Sequence, residues 1–163
     1  MKKIITPEGL LCEIARILEK LKISYIVTGG FAVAVLARPR FTADIDIVIE
    51  LVLKNIKPLI KGEFNFIHPQ TGLKVDFWVK RYPFEEFKRA IVKKIDGQKI
   101  NFISPEDLVS SKLIWHKEGQ GSKQIEDIES ILKISKPDLN YIKGWAQKQL
   151  TFDILEKILK NNG

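Results

Sequence analysis

Asp44 and Asp46 stand two residues apart in Asp44-Ile45-Asp46-Ile47-Val48-Ile49-Glu50, where apolar and acidic residues alternate at the start of the run. In a strand, residues i and i+2 share a face. The two carboxylates therefore project together, while Ile45, Ile47 and Ile49 point the other way into a core. Held side by side, two carboxylates repel each other unless a cation lies between them, and their oxygens suit a hard divalent ion such as Mg²⁺ or Mn²⁺. A solvated acidic face, continued by Glu50, is the plainer explanation of a lone D-x-D. A third carboxylate, Asp76, sits in Leu73-Lys74-Val75-Asp76-Phe77-Trp78-Val79. Val75 and Phe77 read as the buried face of that strand, and aspartate is disfavoured at such a position. Either Asp76 faces solvent, or it lies beside the first strand and completes a three-carboxylate site able to hold two metals.

Upstream, Gly29-Gly30 separates a β-rich run from a short apolar helix. Glycine there permits close backbone approach, and the N–H groups at a helix start attract phosphate oxygens; a tight turn would need glycine on steric grounds alone. Arg40 and Thr42 precede the first carboxylate. Arg40 is either a phosphate-neutralising group or a solvated surface arginine.

These residues need elements to position them. Helical spacing of Leu10, Leu11, Ile14, Ile17, Leu18 and Leu21 predicts a helix over 7–21, with Thr6 as cap and Pro7 as first residue. Strands are predicted over 24–28, 44–50, 64–67, 73–79 and 99–103, the last following an Asp96-Gly97 turn. Short helices are expected over 31–37 and 51–60, and a longer one over 83–94. From Ser104 the pattern changes. Ser104-Pro105-Glu106-Asp107 combines a cap, a proline at the first helical position and an acidic first turn. Helices are predicted over 105–117, 123–134, 137–149 and 151–160. The expected organisation is an α+β core over 1–103, with a small mixed β-sheet flanked by helices, and an all-helical region over 104–163 packed on it.

Composition sets bounds on what such a protein does. The chain has 163 residues, 45% of them hydrophobic, which suffices for a core without disulfides or structural metal. Cys12 is the sole cysteine, so no internal disulfide exists, in keeping with a reducing cytoplasm. No targeting segment is visible after Met1-Lys2-Lys3, and the apolar stretch over 23–37 is too short for a bilayer. The net charge is +7, from 27 Lys and Arg against 20 Asp and Glu. That field favours polyanions, nucleotides and RNA among them, although lysine-rich surfaces also arise from selection for solubility. His68 and His116 lack ligand spacing, and Trp78, Trp115 and Trp145 read as packing residues.

Taken together, Gly29-Gly30, Arg40-x-Thr42-x-Asp44-x-Asp46 and the distant strand residue Asp76 resemble the nucleotidyltransferase superfamily related to DNA polymerase beta, over about residues 20–80. The resemblance implies a metal-dependent enzyme that moves a nucleotide from an NTP, such as ATP, to an acceptor hydroxyl and releases pyrophosphate. It implies catalytic and metal-binding roles for Asp44, Asp46 and Asp76, and nucleotide contacts from Gly29, Gly30, Arg40 and Thr42. Gly30 departs from the serine many members carry, so one phosphate contact would come from backbone.

The helical half, with Lys112-Leu113 and Lys123-x-x-x-Asp127-Ile128, is similar to AbiEii-like and MenT-like toxins. There a helix lysine and a supporting aspartate belong to the nucleotide site, positions matched by Lys112 and Asp127. On the residues alone, Lys112 could be a solvated helix lysine and Asp127 part of an acidic face with Glu126 and Glu129. Lys123-Gln124 departs from the Arg/Lys-Asp of the fuller pattern. The strongly basic charge favours RNA as the acceptor over a cationic drug, and the resemblance implies an antitoxin partner protein. A small-molecule acceptor of the antibiotic type and a non-catalytic, antitoxin-like or RNA-binding member of the same fold are the competing readings.

Overall fold

The structure, a computed structural model, describes residues 5–51, 62–81, 85–119 and 121–161. Its close contacts divide the chain into two compact units, Met1–Ala32 with Phe41–Ile103 and Val33–Arg40 with Ser104–Gly163. No helix among the described residues is long and apolar enough to cross a membrane.

The first unit is built on a six-stranded mixed sheet in the order β3-β4-β2-β1-β6-β5. Its strands are β1 (Ser24–Thr28), β2 (Asp44–Leu51), β3 (Gly62–Ile67), β4 (Lys74–Arg81), β5 (Ile91–Ile95) and β6 (Gln98–Phe102). Helix α1 (Pro7–Lys20) has the expected cap, with the Thr6 hydroxyl accepting from the Gly9 N–H at 3.0 Å. It buries Leu10, Leu11, Ile14, Ala15 and Leu18 and contacts β1 and β6. Helix α2 (Gly29–Leu36) starts directly at the end of β1, two residues earlier than the apolar run suggests.

Alternation in β2 does what its spacing dictates. Ile45 and Ile47 are fully buried and Ile49 nearly so, while Asp44 and Asp46 on the opposite face keep partial exposure. The central strands β2 and β4 run parallel, and β3 and β4, both predicted as strands, pair antiparallel as a hairpin. On that outer pair Phe64 stacks on Phe77 with ring centroids 4.9 Å apart.

One predicted helix is a strand. Residues 83–94 carry good helix formers, yet among the described residues of that range helical character is confined to a 3₁₀ turn at Glu85–Arg89, and Ile91–Ile95 pairs antiparallel with β6. The Asp96-Gly97 turn decides the matter. Both residues have positive φ, 47° and 82°, the geometry of a tight hairpin, so the β-branched Ile91-Val92 run is returned against β6. The helix expected over 51–60 begins at Leu51, which closes β2, and otherwise lies outside the described residues.

The second unit is helical, with α3 (Pro105–Gly119), α4 (Ser122–Ser135), α5 (Leu139–Lys148) and α6 (Phe152–Asn161). Its start follows the sequence signal: the Asp107 N–H donates to Ser104 Oγ, and that hydroxyl donates back to the Asp107 carboxylate. Asp107 also accepts from the Tyr141 hydroxyl at 2.9 Å, tying α3 to α5. Leu108, Leu113, Ile128, Ile131, Ile142 and Leu155 are fully buried and form the core. Trp115, expected to pack, is instead half exposed on α3.

Because Ile47 is fully buried on the face of β2 away from its carboxylates, Ile47→Ala should destabilise the protein by about 2–5 kcal/mol. Denaturant unfolding measures this directly, and a loss below about 1 kcal/mol would contradict the buried placement.

Candidate active site

Parallel pairing of β2 and β4 sets Asp46 opposite Asp76 and Asp44 opposite Lys74. On the flanking strands Thr28 faces Asp46 and Asn65 faces Asp76. All three predicted carboxylates therefore occupy one patch of one sheet face, and Lys74 completes the square. Lys74 Nζ lies 2.7 Å from Asp76 Oδ1. The hydrogen bond to Asp76, reinforced by the charges of Asp76, Asp44 and Asp46, holds this ammonium above the usual lysine range. Among the described residues no three His, Cys, Asp or Glu side chains converge as a ready-made metal cage; the cation inside this patch is Lys74. The donor set itself, carboxylate oxygens on two adjacent strands, is chemically that of a Mg²⁺ or Mn²⁺ site.

Two further predicted residues position the patch. The Thr42 hydroxyl donates to Asp44, with 2.9 Å to Oδ1 and 3.0 Å to the main-chain oxygen, which fixes the first carboxylate before the strand begins. Gly29 has φ +63°, and a Cβ built on it would fall 1.9 Å from Asp46 Oδ2. The space that a side chain would occupy is taken by the Asp46 carboxylate. Glycine at this position thus answers to Asp46, a reason the sequence does not reveal. Gly30, next to it, is buried in the first turn of α2.

Arg40, Lys112 and Asp127 form a separate cluster in the helical unit. Asp127 is fully buried. Lys112 Nζ lies 2.8 Å from Asp127 Oδ2 and 3.1 Å from Gln124 Oε1, and Arg40 hydrogen-bonds the same Asp127 oxygen. Lys112 is itself buried, so neither it nor Asp127 belongs to a solvated helix face. Burial would push the Asp127 carboxyl up, but hydrogen bonds and charge from Lys112 and Arg40 outweigh it and hold the carboxyl below its ordinary value. Gln124, the departure from the Arg/Lys-Asp pattern, gives Lys112 a neutral acceptor where the pattern would add a second negative charge.

Sequence reasoning missed Lys74 and Arg38. Lys74 was legible as the residue two before Asp76 on the same strand face. Arg38 pairs with Glu126 at 2.9 Å and lies 3.8 Å from Asp127, which only folding reveals. A cavity of about 230 Å³ in the helical unit, lined by Lys143, Phe152, Leu155, Glu156, Leu159 and Lys160, includes none of the predicted residues.

A mixed sheet with carboxylates abreast on its central parallel strands, preceded by a strand–glycine–helix turn, defines a fold of the nucleotidyltransferase class. The chain belongs to the family described as nucleotidyltransferase of unknown function (DUF6036), whose model matches residues 9–162. Solved structures share the fold. An antigenic nucleotidyltransferase-like protein from Paracoccidioides brasiliensis is 21% identical, with 94% of this chain and 91% of that one covered and a TM-score of 0.58. ANT(2'')-Ia, solved with adenylyl-2''-tobramycin, is 13% identical over 88% of this chain and 97% of that one, with a TM-score of 0.60. The lincosamide antibiotic adenylyltransferase LnuA, lincomycin-bound, is 18% identical over 80% and 98%, with a TM-score of 0.54. No curated protein matches by sequence.

Gly29→Ala should cost about 1–2 kcal/mol from the left-handed backbone alone, and more because the Asp46 carboxylate must move. Gly72→Ala, also at positive φ but with nothing within 4 Å of its Cβ, should show only the backbone cost. Equal melting shifts for the two variants would contradict the contact with Asp46.

Asp127→Asn should destabilise by about 3–5 kcal/mol, since it leaves two cations without their buried counter-ion. The Asp127 carboxyl is depressed in the folded state, so its contribution is complete above the unfolded value near pH 4 and disappears as pH falls through the lower folded value. Acid unfolding curves of the Asn variant should lack that part of the loss.

Proposed function

We propose that the protein transfers a nucleoside monophosphate from an NTP to an acceptor hydroxyl, with Mg²⁺ or Mn²⁺ held by Asp44, Asp46 and Asp76. The observation that carries this reading is the register that sets Asp46 beside Asp76 with Asp44 on the same face. A divalent ion bound there would neutralise phosphate charge and lower the pKa of the attacking hydroxyl. The chain's own part is orientation: Thr42 fixes Asp44, and Gly29 gives Asp46 its space.

Nucleotide contacts from Arg40, Lys112 and Asp127 are what the resemblance implies, and within the helical unit these residues form one charged cluster. Arg40 and Lys112 are held in place by Asp127, and the Nε atoms of Arg38 and Arg40 are buried with no hydrogen-bond partner among the described residues. Buried donors of this kind are uncommon and suit an anionic ligand.

RNA is the acceptor we favour, on the +7 charge. With it goes a toxin-like role under the control of an antitoxin protein, on the resemblance at Lys112 and Asp127. A small-molecule acceptor is the second reading. What favours it is that two antibiotic adenylyltransferases share the fold over 80–88% of this chain and nearly their own full length.

Asp46→Asn should reduce nucleotide transfer at least about a hundredfold, equal to ~2.7 kcal/mol in the barrier, with unchanged unfolding. Transfer from labelled NTP with Mg²⁺ and total RNA measures it, and near-normal rates would remove Asp46 from the catalytic set. The acceptor is tested by salt. Apparent affinity for RNA should fall log-linearly with salt concentration once the separately titrated NTP contribution is subtracted; a flat acceptor dependence would favour the small molecule.

A further inference from the structure

We infer that Lys74 is the built-in counter-cation of the carboxylate patch, an ammonium that occupies Asp76 when no metal is bound and must leave it for a divalent ion to load. This inference rests on the metal reading of the preceding subsection.

Position comes first. Lys74 is two residues before Asp76 on β4, so both side chains project from one face. Across the parallel pair it stands opposite Asp44, and Asp76 stands opposite Asp46. The four residues make a two-by-two block with three negative charges and one positive. On the β3 side the neighbours are Ile67 and Asn65, and beyond β2 lies Thr28. None of these three is charged.

Chemistry makes the occupancy exchangeable. The Lys74 side chain is 46% exposed while that of Asp76 is 13% exposed. Lysine carries its charge on four rotatable carbons, so the ammonium can leave the patch without backbone movement. A pair this exposed contributes little to stability. It is therefore a weak competitor that a divalent ion with several oxygen ligands displaces. In the meantime it relieves repulsion that three adjacent carboxylates would otherwise impose on β2 and β4.

Lys74→Met keeps the length of the side chain and removes its charge. Mn²⁺ titration of the purified full-length protein, read by electron paramagnetic resonance of the free ion, reports binding without any turnover. The Met variant should bind Mn²⁺ about threefold or more tightly than wild type, and its metal-free form should melt only slightly lower. Lys74→Arg, which retains the cation, should stay near wild type in both measurements. If wild type binds Mn²⁺ and the Met variant binds equally or more weakly, the counter-cation role is overturned while the metal site stands. If neither protein binds Mn²⁺, both readings fall.

Discussion

Much of this molecule follows from one constraint: β2 and β4 are parallel neighbours in a register that sets two aspartates abreast. Like charges facing each other across a sheet are destabilising, and here Asp44 adds a third two residues along. The surroundings are arranged to tolerate this. Lys74 contributes a positive charge, Thr42 a hydrogen bond and Gly29 an absent side chain. On the reverse face, Ile45, Ile47 and Val75 are fully buried, so the strands cannot slip by one residue without sending the carboxylates into the core. Hydrophobic burial thereby enforces an electrostatically unfavourable placement.

The helical unit solves the opposite problem. A carboxylate buried to full exclusion of solvent would be costly alone, and Asp127 is compensated by Lys112 and Arg40 from separate segments. The two charged clusters differ in character. One is acidic, partly exposed and weakly paired; the other is buried, and its carboxylate is tightly paired.

Sequence legibility followed the same physics. The carboxylates, the Asp96-Gly97 turn and all four C-terminal helices were visible because each is specified locally, by i,i+2 or helical spacing and by caps and turns. Residues 83–94 were misread because Phe84, Phe87 and Ile91 mimic helical spacing, whereas the downstream turn and pairing with the strand that follows it determine β5. Lys112 and Asp127 could be marked as candidates, but their burial and mutual contact could not. Their pairing depends on residues far apart in the chain, including an arginine on the loop before β2.

That last separation has a bearing on how the protein comes into being. Arg40 and its carboxylate partner are 87 residues apart, and the short Val33–Arg40 segment belongs with helices that begin only at Pro105. At ordinary elongation rates a ribosome needs on the order of ten seconds to cover that distance. Throughout that interval the nascent chain carries Val33 and Leu36, residues buried in the finished protein, without the helices they are to join. This segment must wait, and the second unit cannot be completed until those helices have been synthesised.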